Sequence, residues 1–92
     1  MNYSLEFSKN ALDDIAKHKK IGDQSVLKKV QILLNELRLH PKTGTGKPEE
    51  LKHDLAGLYS RRINKKHRLV YSINDQALAV LVLSAWAHYS DK

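Results

Sequence analysis

The 92-residue chain contains no cysteine. That excludes a disulfide framework and a thiolate metal site, and it fits a reducing compartment. Proline and glycine are scarce, at two and four residues. No Pro- or Gly-rich linker, internal repeat or low-complexity stretch divides the chain. The longest apolar run, Ala77 to Ala85, is broken by Ser84. It falls far short of the ~20 residues a membrane-spanning helix needs. The opening Met1-Asn2-Tyr3-Ser4-Leu5-Glu6-Phe7 lacks a basic start and alternates apolar with polar residues, so it does not read as a signal peptide. A cytoplasmic location is expected. Acid is the minority charge, with 10 Asp and Glu against 16 Lys and Arg.

What is present is 41% hydrophobic and 28% charged, the make-up of one ordinary globular domain spanning residues 1–92. The net charge of +6 is not evenly spread. Between Lys42 and Arg68 stand eight Lys or Arg against three acids, a local net of +5 that leaves +1 for the rest. A basic segment of this kind suits a polyanion, most often a nucleic acid, or serves as a solubilising face.

The hydropathy pattern divides the chain into elements. Tyr3, Leu5 and Phe7 alternate with polar residues, the period of a half-buried strand. Ser8 is placed to cap a helix whose apolar positions are Ala11, Leu12, Ile15 and Ala16. Gly22 interrupts, and Asp23 can cap a second helix. There Val26, Val30, Leu33, Leu34 and Leu37 form one face, while Lys28, Lys29, Gln31, Asn35, Glu36 and Arg38 are expected in water. His40-Pro41 ends it, and Pro41 to Pro48 is a loop by composition. Three strands are predicted over 58–63, 68–73 and 78–84, the last apolar on both faces and hence central and covered. The expected fold is α+β in the order β-α-α-β-β-β, with two helices on one face of a mainly antiparallel four-stranded sheet.

Few residues offer chemistry. The five histidines are scattered without metal-ligand spacing, and Gly44-Thr45-Gly46-Lys47 lacks the full phosphate-loop pattern. No metal or cofactor is expected. Two segments remain: Gly46-Lys47-Pro48-Glu49-Glu50-Leu51-Lys52-His53 and Trp86-Ala87-His88-Tyr89. A Glu and a His across a cleft can act as base and acid near neutral pH. An Arg beside them suits a phosphate, and a Tyr can stack on an unpaired base. Taken singly, Glu49 also reads as a surface ion pair, His88 as an exposed chain-end residue and Arg68 as a surface charge. Spacing alone does not bring Glu49 and His88 together.

The run from Gly46 to Ile63, then His67-Arg68-Leu69-Val70-Tyr71, then His88-Tyr89 resembles the YoeB toxins, the Txe/YoeB family of the RelE superfamily. The likeness covers the whole chain and is strongest from Gly44 to Tyr71. It implies a RelE-like fold and a toxin of a bacterial type II toxin–antitoxin pair that cleaves mRNA in the ribosomal A site, leaving a 2′,3′-cyclic phosphate. It implies Glu49 as general base, His88 as general acid, Arg68 as phosphate stabiliser and Tyr89 as the residue that orients substrate. Lys52, Arg62, Arg61 and Lys47 are the implied substrate-binding cations. The implied partners are a YefM/Phd-like antitoxin, the ribosome with its mRNA, and a second copy of the toxin. Two other readings are a translation blocker that binds without cutting and a ParE-like gyrase poison. The sequence departs from the family's Arg-Tyr-His-Tyr ending: Ser84-Ala85-Trp86-Ala87 approaches His88 by about two more residues, and Ser90-Asp91-Lys92 follows Tyr89. A longer last strand with a bulge would absorb the difference.

Overall fold

Ser8 caps the first helix as its position predicts. Its Oγ accepts from the Ala11 N–H at 3.1 Å and donates to the Leu83 carbonyl at 2.9 Å, which ties the helix start to the sheet. The computed structural model describes residues 2–87. In chain order these form β1 (Ser4–Phe7), α1 (Lys9–Ile21), α2 (Gln24–Leu39), β2 (Glu49–Glu50), a 3-10 turn (His53–Leu55), β3 (Leu58–Arg62), β4 (Arg68–Asn74) and β5 (Ala79–Ser84). Gly22 closes α1 at φ 78°, a conformation that suits a residue without Cβ. Asp23 then caps α2, its Oδ1 accepting from the Ser25 and Val26 N–H groups.

The strands lie in the order β1-β5-β4-β3-β2. β1 runs parallel to β5, and the other neighbours are antiparallel. The α+β class and element order are as expected, with one addition. Glu49 and Glu50 pair with Ser60 and Tyr59 as a two-residue edge strand, so the sheet has five strands. Two residues are too few to show a hydropathy period. β5 is flanked on both sides, yet β4 takes the middle of the sheet. Val80 and Val82 of β5 are fully buried while Leu81 and Leu83 are half-buried, so only one of its faces is closed.

The closed face is the core. Val26, Val30, Leu33 and Leu37 of α2 and Ala11 of α1 pack on Leu69, Tyr71, Val80 and Val82. Burial of each large side chain there contributes about 1.5–3 kcal/mol. Two expectations about the helices fail. In α1, Leu12 is 55% exposed and Ala16 is exposed, while Asp14 and His18 are buried at 4% and 3%. The buried stripe is Ala11-Asp14-His18, at spacings of three and four, with Ile15 half-buried against the core as expected, and its polar members meet the backbone just beyond β5. In α2, Glu36 is only 21% exposed because it pairs with a buried arginine.

The opposite face carries no helix. Leu51 and Val70 are buried but stand apart from the main core cluster, and Ser60 is buried between their strands. They form a small second floor under that face.

Candidate functional site

The loop that delivers Glu49 is held from beneath by Arg61. Its guanidinium is fully buried and every nitrogen is occupied. Nη1 donates to Glu36 Oε1 at 2.9 Å and to the Thr45 carbonyl at 3.4 Å. Nη2 donates to the His40 and Thr43 carbonyls at 2.7 Å each, and Nε donates to the Tyr71 hydroxyl at 3.0 Å. The Tyr71 hydroxyl in turn donates to the Pro41 carbonyl at 2.7 Å. This corrects the expectation that Arg61 binds substrate. The strand alternation turns it to the helix side, where its five donors gather the loop and none faces solvent.

The charges around Arg61 follow. Burial pushes the Glu36 carboxyl up, but hydrogen bonds from Thr45 and the Arg61 cation outweigh it and hold Glu36 below its ordinary value. Burial raises the Tyr71 phenol, against the lowering influence of Arg61. Gly46 completes the join at φ 85°: its carbonyl accepts from the Arg62 N–H at 2.6 Å, and a Cβ there would lie 2.9 Å from the Arg62 carbonyl oxygen. Only glycine lets the loop lie so close to β3.

The sheet register brings three of the candidate side chains to one face. Glu49 is directly opposite Ser60, and Arg62 is directly opposite Arg68. Ser60 and Arg62 are two residues apart, so they point the same way. Glu49, Arg62 and Arg68 therefore share the helix-free face, with Leu51 and Val70 beneath. From strand spacings the Glu49 and Arg68 Cα atoms are roughly 12 Å apart. Glu49 and Arg62 are exposed. Arg68 is half-buried, and its Nη1 donates to the Asn64 carbonyl at 2.7 Å. Its Nε and Nη2 make no hydrogen bond among the described residues, which leaves one edge of the fork for an anion. Lys47 and Lys52 flank β2, both exposed.

His88 and Tyr89 lie outside the described residues. The approach to them is described: the expected bulge is present, with Leu83 the extra residue, but the strand is not lengthened. β5 ends at Ser84, with a register irregularity opposite Val70 and Tyr71. Ala85 to Ala87 then leave the sheet, and Ala87 adopts φ 61°. The Ala85 N–H donates to Asp14 Oδ2 at 2.9 Å, and its carbonyl lies 2.7 Å from His18 Nε2. The Ala87 N–H donates to His67 Nδ1 at 2.8 Å, and its carbonyl accepts from the Arg68 N–H at 3.1 Å. The Trp86 ring stands 4.8 Å from that of His18 and 4.5 Å from that of His67, with Lys17 Nζ 4.8 Å from its centroid. Sequence reasoning missed Asp14, His18 and His67. The available signal was a helical stripe of Ala11, Asp14 and His18, in which two of three positions are polar.

The fold and its charged open face define a small basic α+β protein in which an acid and two arginines are presented on one sheet surface. Residues 7–89 match the family described as YoeB-like toxin of bacterial type II toxin–antitoxin system. Toxin YoeB of Escherichia coli K12 is 45% identical over 67 residues, 73% of this chain and 77% of that protein. The solved YoeB/ParE toxin from Agrobacterium tumefaciens superposes with a TM-score of 0.86 at 32% identity, covering 94% of this chain and 99% of that one. The toxin in the heterotetrameric YoeB–YefM toxin–antitoxin complex from Staphylococcus aureus superposes at 0.80 with 37% identity, covering 97% and 100%. The chain belongs to the YoeB-like toxins of bacterial type II toxin–antitoxin systems.

Proposed function

We propose that the protein is a ribosome-dependent endoribonuclease that cuts mRNA in the A site and so stops translation. Glu49 takes the proton of a 2′-hydroxyl, and the 2′-oxygen attacks the adjacent phosphorus. The 5′-oxygen leaves with a proton from His88, giving a 2′,3′-cyclic phosphate and a 5′-hydroxyl. Arg68 offers the open edge of its fork to the phosphate as charge builds. Tyr89 orients the substrate by stacking on a base. Arg62, Lys52 and Lys47 bind the nucleic-acid backbone, and the basic stretch from Lys42 to Arg68 holds the toxin against ribosomal RNA. The antitoxin is a YefM-like protein, as in the Staphylococcus aureus complex, and the toxin pairs with a second copy of itself. No metal or cofactor takes part.

The observation that carries this reading is the register that sets Glu49, Arg62 and Arg68 on one uncovered face. The test uses a translating extract with 5′-end mapping of the mRNA. Glu49→Ala and His88→Ala are each expected to slow cleavage by about 10²–10⁴-fold, the contribution of a positioned acid or base, with ribosome binding retained. If both variants cut as the wild type does, the assignment is wrong. Wild-type toxin that stalls translation without producing 5′-hydroxyl ends inside codons is a blocker instead. A supercoiling assay with gyrase is the control for the ParE-like reading.

A further inference from the structure

We propose that Asp14, His18 and His67 are positioning residues that set the direction in which the chain leaves Ala87 toward His88. This rests on the reading of His88 as the general acid, and it adds three residues to the machinery that reading names.

The sheet ladder stops at Ser84, three residues before the last described one. Past that point both backbone polar groups of Ala85 and both of Ala87 are claimed. Side chains supply three of the four partners, two from α1 and one from the connection between β3 and β4. The ring nitrogens have fixed duties. A carbonyl only accepts, so His18 Nε2 carries the hydrogen in its contact with Ala85. An N–H only donates, so His67 Nδ1 is the bare nitrogen facing Ala87. Between these two residues the Trp86 ring is boxed by both imidazoles, which themselves meet edge to face at 4.8 Å and 83°.

Apolar side chains would fill the same space at lower cost, because a buried polar group must find a partner. What hydrogen bonds add is direction. Here they hold Ala87 at φ 61°, a left-handed turn that a residue with a Cβ seldom adopts. A turn held in that form immediately before His88 aims the next residue. A catalytic group misplaced by ~1 Å can lose ~10²-fold in rate, so the aim matters more than the added stability.

The experiment measures cleavage of ribosome-bound mRNA by the full chain, with amide exchange of the free protein followed in parallel. His67→Leu removes the acceptor for Ala87, whereas His67→Asn keeps an acceptor near the place of Nδ1. His18→Leu removes the donor to Ala85, whereas His18→Gln keeps one near the place of Nε2. The leucine variants are expected to lose about 10- to 100-fold in kcat with KM within about twofold, and the Asn and Gln variants to recover most of it. The Ala87 amide should exchange faster in His67→Leu and not in His67→Asn. Folded leucine variants with wild-type kcat overturn the proposal. So do Asn and Gln variants that stay as slow as the leucines, since a merely structural role has no need of the hydrogen bond.

Should the leucine variants fail to fold, Ala87 itself decides. Ala87→Gly accepts the left-handed turn and should cut at nearly the wild-type rate. Ala87→Val resists it and should lose kcat, and equal rates for the two overturn the proposal. His88→Ala separates the levels. If it cuts normally, the acid assignment falls and takes this inference with it. If it is inactive while folded His67→Leu is wild type, only the positioning role falls.

Discussion

The two ends of the open sheet face are secured by opposite chemistry. At the β2 end a single buried cation, Arg61, collects the carbonyls of His40, Thr43 and Thr45 and the Glu36 carboxylate. At the chain end, Asp14, His18 and His67 hold the backbone of Ala85 and Ala87, each through one side-chain atom. The first arrangement shapes a long loop, and a guanidinium suits it because its five donors reach many acceptors at once. The second aims one short segment and needs one donor or acceptor per peptide group. A buried ion pair is costly to break, because removing one partner strands the other charge. A single hydrogen bond to one backbone group is cheaper to lose. The loop brace should therefore govern stability, and the chain-end clamp should govern geometry.

The largest test of that contrast is Glu36→Ala, which leaves Arg61 buried without its counter-ion. It should cost about 3–5 kcal/mol. In thermal denaturation each kcal/mol corresponds to a melting shift of roughly 4–8 °C for a domain of this size. His67→Leu should cost about 1–3 kcal/mol, since it leaves the Ala87 N–H without its acceptor. Equal shifts for the two would break the comparison. Next is Gly46→Ala, which forces a Cβ against the Arg62 carbonyl at a left-handed φ. It should cost about 1–3 kcal/mol by denaturant titration.

A smaller effect is expected from acid. Glu36 sits below its ordinary value in the folded chain. Its contribution to stability is therefore complete above the unfolded carboxyl pKa of ~4.3 and fades as pH falls through the lower folded value. Glu36→Gln should flatten the decline of stability in that window, as followed by circular dichroism. A wild-type slope in the variant would remove Glu36 from the account. Smallest of all is Leu12→Ala on the exposed side of α1, expected to change stability by no more than about 0.5 kcal/mol. A larger loss there would mean that the outward face of α1 is covered.

Much of the fold was legible because local rules and tertiary packing agree. Ser8, Gly22 and Asp23 punctuate the helices where capping chemistry places them. The face of α2 follows the 3.6-residue period, and three strands fall within a residue or so of their predicted limits. The misses share a cause. Asp14 and His18 look like solvent-facing residues because hydropathy treats polarity as exposure, yet their partners are backbone groups some seventy positions away. Arg61 and Arg62 are neighbours of identical type in one basic run. Strand alternation turns them to opposite faces, and the first is buried while the second is exposed. The two-residue β2 is formed by pairing with β3 and has no pattern of its own.

The sequence by itself determined the element order, the helix caps, the concentration of positive charge and, through its motifs, the family of the chain. These are properties of neighbouring residues, set by backbone preference, side-chain period and composition. Only the tertiary structure decided which cations face the open surface, what braces the loop before Glu49, and how Ala85 to Ala87 are held ahead of His88. Those outcomes depend on strand register and on hydrogen bonds between distant segments. A one-residue change of register would send Arg61 outward and Arg62 into the core.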